Sequence, residues 1–413
     1  MIYLQTQLEY VIISVVNLLL NRYFFMFTLI VFIVILGLLV FVHEFGHFLA
    51  ARLTGMKVYE FAIGYPPRMF GVYKDPKTKK YVWVWRRGKN SAKPVDDVPD
   101  LRQEFPATLY SLHLLPLGGF CNIKGENGES VNDKDSFGHQ KPWKRFVVLM
   151  AGVTMNFLLT AILFSVGFIV GLPADISNLN DDKIIVVDQP QVIVQMVEKE
   201  SPAEKGGIKF GDKIVSLYGT EINSSKELID IIQTYEEGII DLKVDRSGQI
   251  VSLEVVPDIK EDGKKQIGIM MADAAIVRYP WYIAIYKGFV ASGIALINIF
   301  VAFGILIGNL VVGKGLAFEV SGPVGIAVVL GQSARLGISY LINATAMISL
   351  SLAAINILPI PALDGGRILF LGIEKIIRKP VPVKYEQIAH TIGFALLMLL
   401  IIMVTGKDIL SFF

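Results

Sequence analysis

Five consecutive residues, His43-Glu44-Phe45-Gly46-His47, are the ones whose types and spacing could do chemistry in this 413-residue chain. On an α-helix, positions four apart share a face, so His43 and His47 can offer two imidazoles to one metal ion. Glu44 sits beside them, placed to take a proton from a water activated at that metal. This is the spacing used by zinc peptidases, with the Glu as general base. The chain has only 5 histidines, which makes a chance match remote. The surroundings sharpen the reading. Residues 23–42 carry no charge, and Phe48-Leu49-Ala50-Ala51 extend the apolar run to Arg52. Two histidines and a glutamate in lipid are costly unless they bind something.

A catalytic zinc site needs a third protein ligand and an open position. Ala50 and Leu53 stand where a metzincin would have Gly and His. His113, His139 and His390 fall in a strand, a polar loop and the start of a late apolar run, where solvated or core roles suffice. The better candidate is Asp364, at the end of Asn356-Ile357-Leu358-Pro359-Ile360-Pro361-Ala362-Leu363-Asp364-Gly365-Gly366. Pro359 and Pro361 remove two backbone donors and break the preceding helix. Broken backbone at membrane depth is tolerated only when buried in protein or lining a cavity. That places Asp364 on irregular chain near the membrane.

These residues need elements to hold them. Hydrophobic residues make up 53% of the chain and charged ones 18%, against roughly 25% charged in soluble proteins. The expected class is a membrane protein with a soluble part. A net charge of +2 gives no sign of a nucleic-acid partner, and the single cysteine, Cys121, excludes an internal disulfide. The chain divides into a lead-in segment (1–22), a first span (23–51), a polar stretch with hairpin-like strands (52–145) and a second span carrying Asn156 (146–174). A β-rich domain follows (175–276), with a helix expected after Ser224-Ser225 and Glu227 as its capping partner. Then come an apolar segment (277–337), a third span (338–366), a basic connector (367–387) and a last span (388–413). The lead-in lacks the basic start and cleavage site of a signal peptide and reads as an interfacial helix or an upstream extension.

Charge supplies a topology. The basic stretches 52–145 and 367–387 should face the cytoplasm, and the acidic region 175–287 the other side. For His43 and His47 to meet Asp364, the first and third spans must exit on the same side. The second span alone satisfies that. Residues 288–313, a span by hydropathy, are therefore expected to lie re-entrant or in the interface.

With both long motifs in this order, the chain resembles the site-2 protease family over about residues 26–410, most closely the bacterial group that includes the regulator of sigma-E protease. The resemblance implies a polytopic α-helical membrane protein with four transmembrane helices around an intramembrane zinc site, a small membrane-associated β-sheet and one inserted PDZ domain. It implies Zn2+ held by His43, His47 and Asp364, with Glu44 as catalytic base and Asn356, Asn156, Pro359 and Pro361 in support. The run Ala151-Gly152-Val153-Thr154-Met155-Asn156 is similar to a second-span motif that usually has Pro where Val153 stands. Residues 61–70 are similar to a membrane-dipping hairpin, reading Gly64-Tyr65-Pro66-Pro67 where Gly-Phe-Gly-Pro is usual. Pro116-Leu117-Gly118-Gly119-Phe120 and Ser321-Gly322-Pro323 also match family stretches. Gly64, Tyr65, Gly118 and Gly119 are the implied substrate-binding residues, and an edge strand near 57–74 is expected to hold substrate extended. Residues 201–214 resemble a PDZ domain, marked by Gly206, Gly207, Ile208, Gly211 and Asp212. The implied activity is cleavage of membrane-anchored single-span proteins, of anti-sigma factor or remnant signal peptide type, with the PDZ domain as a size filter. The implied place is a bacterial plasma (inner) membrane, with the PDZ domain outside the cytoplasm. An inactive PDZ-bearing scaffold and a metal-ion transporter are the rival readings. Glu44 argues against the first, and the PDZ domain beside the Leu-Asp-Gly-Gly exit against the second.

Overall fold

A computed structural model describes residues 2–85, 105–128, 130–176, 183–198, 200–209, 211–234, 238–246, 248–259, 265–313 and 322–412. Side chains are described from residue 25 onward, except at 116, 117, 411 and 412. In chain order, α1 (Ile2–Leu53) leads to β1 (Val58–Lys74), β2 (Tyr81–Trp85), β3 (Leu109–Ile123) and α2 (Pro142–Val170). A β-rich region follows: β4 (Leu172–Asp175), β5 (Ile185–Val186), β6 (Gln191–Val197), α3 (Pro202–Lys205), β7 (Lys213–Leu217), β8 (Thr220–Glu221), α4 (Ser225–Thr234), β9 (Ile240–Arg246), β10 (Gln249–Val255), β11 (Asp258–Ile259), β12 (Lys265–Gln266) and β13 (Ile269–Arg278). The chain closes with α5 (Trp281–Val311), α6 (Pro323–Leu336), α7 (Ile338–Ile357), α8 (Asp364–Ile377) and α9 (Val383–Phe412).

Two compact units result. One holds Met1–Ile162, Val290–Arg335 and Ala344–Phe413; the other holds Leu163–Phe289 and Leu336–Asn343. Among the described residues, five helices are long and apolar enough to cross a membrane: Phe25–Leu53, Pro142–Val170, Trp281–Val311, Ile338–Ile357 and Val383–Leu410. Several expected boundaries move. The lead-in is not a separate segment in the backbone, because α1 runs unbroken through Asn21 and Arg22; neither residue costs a helix what Pro or Gly would. The second span stops at Val170, where Gly171 adopts φ +127° and Leu172–Asp175 turn into strand. Of the re-entrant and interfacial arrangements expected over 288–313, the re-entrant one is absent. Residues 288–311 lie in α5, a helix of 31 residues and about 46 Å, with no reversal in it. Gly293, Gly304 and Gly308 stay helical, since glycine weakens a helix without forcing a break. Part of the basic connector is also helical, as α8.

In the first unit, β1 and β3 are long strands bent back on each other. Glu60 pairs with Leu109 on one side and Asn122 on the other, and Ile63 with Leu112 and Gly119; farther on, Arg68 pairs with His113 and Val72 with Tyr110. Residues 58–63 are thus an interior strand, not the edge expected near 57–74. β3 wraps around them, turning at Gly118, whose φ of +125° suits glycine. The buried Glu60 ties the layers together. It accepts from Arg68 Nη2 at 2.8 Å and Ser111 Oγ at 2.6 Å, and lies 3.3 Å from His113 Nε2. Burial pushes its carboxyl up, but the His113 hydrogen bond, the Arg68 charge and Ser111 outweigh this and hold it below the ordinary value. The sheet joins the helices through Ala51, Met56, Val58, Ile123, Val148 and Leu149.

The second unit contains an antiparallel sheet in the order β10-β9-β7-β6-β13-β4. Alternate residues of these strands, among them Val192, Val194, Ile214, Leu242 and Val244, face a core closed by Leu228 and Ile232 of α4. The cap read from sequence is present: Glu227 N donates to Ser224 Oγ at 3.1 Å, and Asn223 N donates to Glu227 Oε2 at 3.0 Å. Asp212 is 1% exposed and receives two bonds from Arg246, Nε at 2.8 Å and Nη2 at 2.7 Å. Removing Arg246 would leave the Asp212 carboxylate buried without its cation, so Arg246→Ala should destabilise this domain by roughly 3–5 kcal/mol. Limited proteolysis of the intact chain should show the domain cut first in that variant.

Candidate active site

Helix α1 places His43 and His47 one turn apart, with ring centroids at 4.9 Å and their Nε2 atoms at 3.3 Å. Asp364 opens α8, so it starts a helix rather than lying on irregular chain; a helix N-terminus favours a carboxylate. Its Oδ2 lies 3.1 Å from His43 Nε2 and 3.2 Å from His47 Nε2. Three ligand atoms, one from each residue, fall within 4.8 Å of one another, the only such His/Cys/Asp/Glu group among the described residues. Asp364 Oδ2 is buried with no aligned donor. Three inward-facing acceptors without donors repel unless a cation lies between them, so the donor set fits a zinc ion.

Second contacts set the tautomers. His47 Nδ1 donates to the Val148 carbonyl at 2.9 Å, which leaves its Nε2 lone pair for a metal. The His43 Nδ1 neighbour is the fully buried Asn156, at 3.4 Å from Nδ2, while Asn156 Oδ1 has no partner. Turning that amide over lets Oδ1 accept from His43 Nδ1–H, which satisfies the oxygen and frees His43 Nε2. Asn156 is itself pinned, because its carbonyl accepts from Ser349 Oγ of α7 at 2.9 Å.

Residues 31–83 and 101–400 match Peptidase family M50. The chain belongs to this family, the site-2 proteases. It is 29% identical over 444 residues to the Regulator of sigma-W protease RasP of Bacillus subtilis, covering 94% of this chain and all of the relative (100%). It is 28% identical to Zinc metalloprotease RasP of Geobacillus kaustophilus, over 94% of this chain and 98% of that one. A relative in Clostridium perfringens, provisionally named a zinc metalloprotease, is 33% identical over 90% of this chain and 95% of its own. The regulator these names mention is that of sigma-W, so the sigma-E grouping is not carried further. A PDZ domain of an SdrC-like protein from Listeria monocytogenes is also similar, at 24% identity over 21% of this chain and 93% of that one, with a TM-score of 0.20; at that score it adds nothing to the strand order above. This M50 protein is a bacterial zinc metalloprotease of the membrane.

Glycines bring the helices of this M50 site close together. A Cβ on Gly46 would run into the Ala151 carbonyl, and one on Gly152 would meet His47 Nε2 and lie 2.7 Å from His43 Cε1. Cβ atoms on Gly365 and Gly366 would meet the carbonyls of Leu358 and Ile360, and one on Gly393 would meet that of Pro361. The expected support residues differ in setting. Asn356 is half-buried in the last turn of α7, Pro359 is exposed, and Pro361 packs on Gly393. Sequence reasoning named Gly152 only as part of the second-span motif, set His390 aside as a zinc ligand and passed over Gly393. Ala362 carries a positive φ of 84°, and its N–H donates to His390 Nδ1 at 2.8 Å. His390→Leu should loosen the loop before Asp364 and weaken zinc binding about 10- to 100-fold in a chelator competition, with His390→Gln intermediate.

Glu44 is half-buried on the sheet side, where a Cβ on Gly119 would lie 3.8 Å from Glu44 Cγ. Gly64, Tyr65, Gly118 and Gly119 gather at the bend of the sheet: Tyr65 pairs with Leu115, and a Cβ on Gly118 would meet the Tyr65 ring at 2.6 Å. The outermost strand beside Glu44 is 119–123, the last part of β3. In the β-rich domain, Gly206, Gly207, Gly211 and Asp212 shape turns and Ile208 is core. The groove there is lined instead by Ile229, Gln233 and 265–269, so those five residues hold the domain together rather than line its cleft. Ser321 lies outside the described residues, but Gly322 and Gly325 donate to Asp408 Oδ2 of α9 at 2.9 and 2.8 Å.

Proposed function

We propose that this protein is an intramembrane protease that cuts the transmembrane segments of membrane-anchored single-span proteins, with His43, His47 and Asp364 as zinc ligands and Glu44 as catalytic base. The convergence of these three side chains beside Glu44, with both histidines on a helix apolar enough to span a bilayer, carries the reading. When bound, zinc lowers the pKa of a water to about 7 and polarises the scissile carbonyl. Glu44 takes the proton of the attacking water and passes it to the leaving amine. Asn156 and the Val148 carbonyl hold the imidazoles in the tautomers that face the metal.

A helical substrate hides its peptide bonds in i→i−4 hydrogen bonds and must unwind locally. Strand 119–123 supports this step: it is the outer strand next to Glu44, and an extended substrate can pair with it. Parity supports a shared exit side for α1 and α7 on the cytoplasmic face. α2 then crosses once between them and α5 makes no net crossing, with the PDZ-type domain outside the cytoplasm. The groove of that domain supports a role as substrate filter. The RasP relative named for sigma-W suggests membrane-anchored regulators as one substrate type. The test is membrane proteomics of cells carrying wild type or Glu44→Gln. Single-span stumps should accumulate with the variant; an unchanged profile would count against the substrate class.

A further inference from the structure

We propose that the Glu126–Arg367 ion pair sets the register of the substrate against the zinc site, by fixing the strand that substrate pairs with to the helix that carries Asp364. Strand 119–123 is held at its two ends by two different helices. At its start, a Cβ on Gly119 would meet the Ala62 carbonyl at 2.6 Å and lie 3.8 Å from Glu44 Cγ of α1. At its end the chain turns. Glu126 N donates to the Ile123 carbonyl at 3.2 Å, and Ile123 N donates to Glu126 Oε2 at 3.4 Å. The other oxygen, Oε1, accepts from Arg367 Nη1 at 2.7 Å. One carboxylate thus closes the strand and reaches α8.

Arg367 lies three residues after Asp364 in the first turn of α8, so the two share a face of that helix. Neighbours support the contact. Arg367 Nη2 donates to Asn127 Oδ1 at 3.4 Å, and Gln387 Nε2 of α9 donates to the Asn127 carbonyl at 3.1 Å. A Cβ on Gly128 would lie 2.6 Å from Val383 Cγ1, so the turn fits closely against α9. The side chains of Arg367 and Glu126 are 24% and 21% exposed, and salt screens such a pair only in part.

The reaction needs this precision. Carbonyls on one side of an extended chain recur about every 7 Å. Attack requires reacting atoms about 3–3.5 Å apart, and a 1 Å misplacement can cost about 100-fold. A strand held at one end can pivot. Held at Gly119 by α1 and at Glu126 by α8, it takes its position from the two helices that carry the metal ligands. One carbonyl of the paired substrate is then presented to the metal and its neighbours are not. Arg145 and Glu374 supply a control. They form a pair of similar burial at 2.7 Å, on the same α8, but join it to α2 instead of to the strand.

This rests on the reading that substrate pairs with strand 119–123 and is cut beside Glu44. Glu126→Arg, Arg367→Glu, the two exchanged together, and Glu374→Gln would each be reconstituted with a synthetic single-span peptide carrying Gly-Pro near the cytoplasmic end of its span. Each single exchange should keep stoichiometric zinc and lower kcat about 10- to 100-fold, with KM within about threefold of wild type. Mass spectrometry of the products should show cuts at neighbouring peptide bonds beside the wild-type one. Glu126→Gln, which keeps the shape of the side chain, should show the same change at smaller size. The double exchange should restore most of the rate and the single cut, and Glu374→Gln should keep the single cut. One cut at the wild-type rate in both single variants overturns the proposal. So does a loss of zinc or rate that the double exchange leaves in place, because the pair then only holds the fold. Spread cuts in Glu374→Gln overturn it as well, since any loosening of α8 would suffice. Cleavage that persists in Glu44→Gln is a distinct result, which removes the active-site reading underneath.

Discussion

Glu44→Gln should keep its zinc and lose its cleavage. The amide has nearly the shape of the carboxylate but cannot accept the proton of the attacking water. General-base catalysis contributes typically 10²–10⁴-fold, so turnover of a single-span substrate in proteoliposomes should fall by at least about 100-fold. Zinc, measured by mass spectrometry, should stay stoichiometric, since the grouped ligands are His43, His47 and Asp364. His43→Ala should lose both metal and activity. Cleavage that persists in the Gln variant would remove Glu44 from the mechanism and leave the site as a bare Lewis acid.

A second large effect is expected from a residue that ligates nothing. Gly152→Ala adds one methyl where His47 Nε2 and His43 Cε1 and Nε2 already stand, the last two at 2.7 and 2.8 Å. Carbon contacts settle near 3.5–4.0 Å, so something must move. α2 cannot retreat cheaply, because Gly46 of α1 packs directly on the Ala151 carbonyl and Val148 holds His47. The imidazoles must swing out of register. Zinc affinity should fall by at least about 10- to 100-fold with the ligand set intact, as when an outer contact of a metal site is lost. Gly37→Ala, on the helix that carries the histidines and meeting nothing within 4 Å, is the control and should bind zinc like wild type. Equal zinc affinity in the Gly152 and Gly37 variants would show that the α1–α2 contact does not position the histidines.

Much of this protein is legible in its sequence, for local reasons. The HEFGH spacing needs only the 3.6-residue period to put two histidines on one face. The charge-free runs need only backbone self-satisfaction in lipid to become helices. The β-rich domain and its Ser224–Glu227 cap follow from alternation and short-range hydrogen bonding. Parity of crossings even pairs the histidines with Asp364, far along the chain.

Other features depend on which surfaces come together. Nothing local marks Gly152 as the residue that makes room for two imidazoles, or Gly393 as the one that lets Pro361 approach; a glycine in an apolar helix has many possible uses. His390 looks like a stray histidine until the loop before Asp364 adopts a positive φ and needs an acceptor. The edge strand shifts from β1 to the end of β3, because strand order is a long-range pairing and residues 58–63 read as strand equally well at an edge or in the middle. For α5 the sequence leaves a reversal or an interfacial helix open, and the chain folds as one unbroken helix, since parity constrains net crossing and not local conformation. The sequence alone therefore determined the chemistry and the elements that carry it. Tertiary structure decided the spacing around them, because close packing is a property of pairs of surfaces that no single stretch of chain contains.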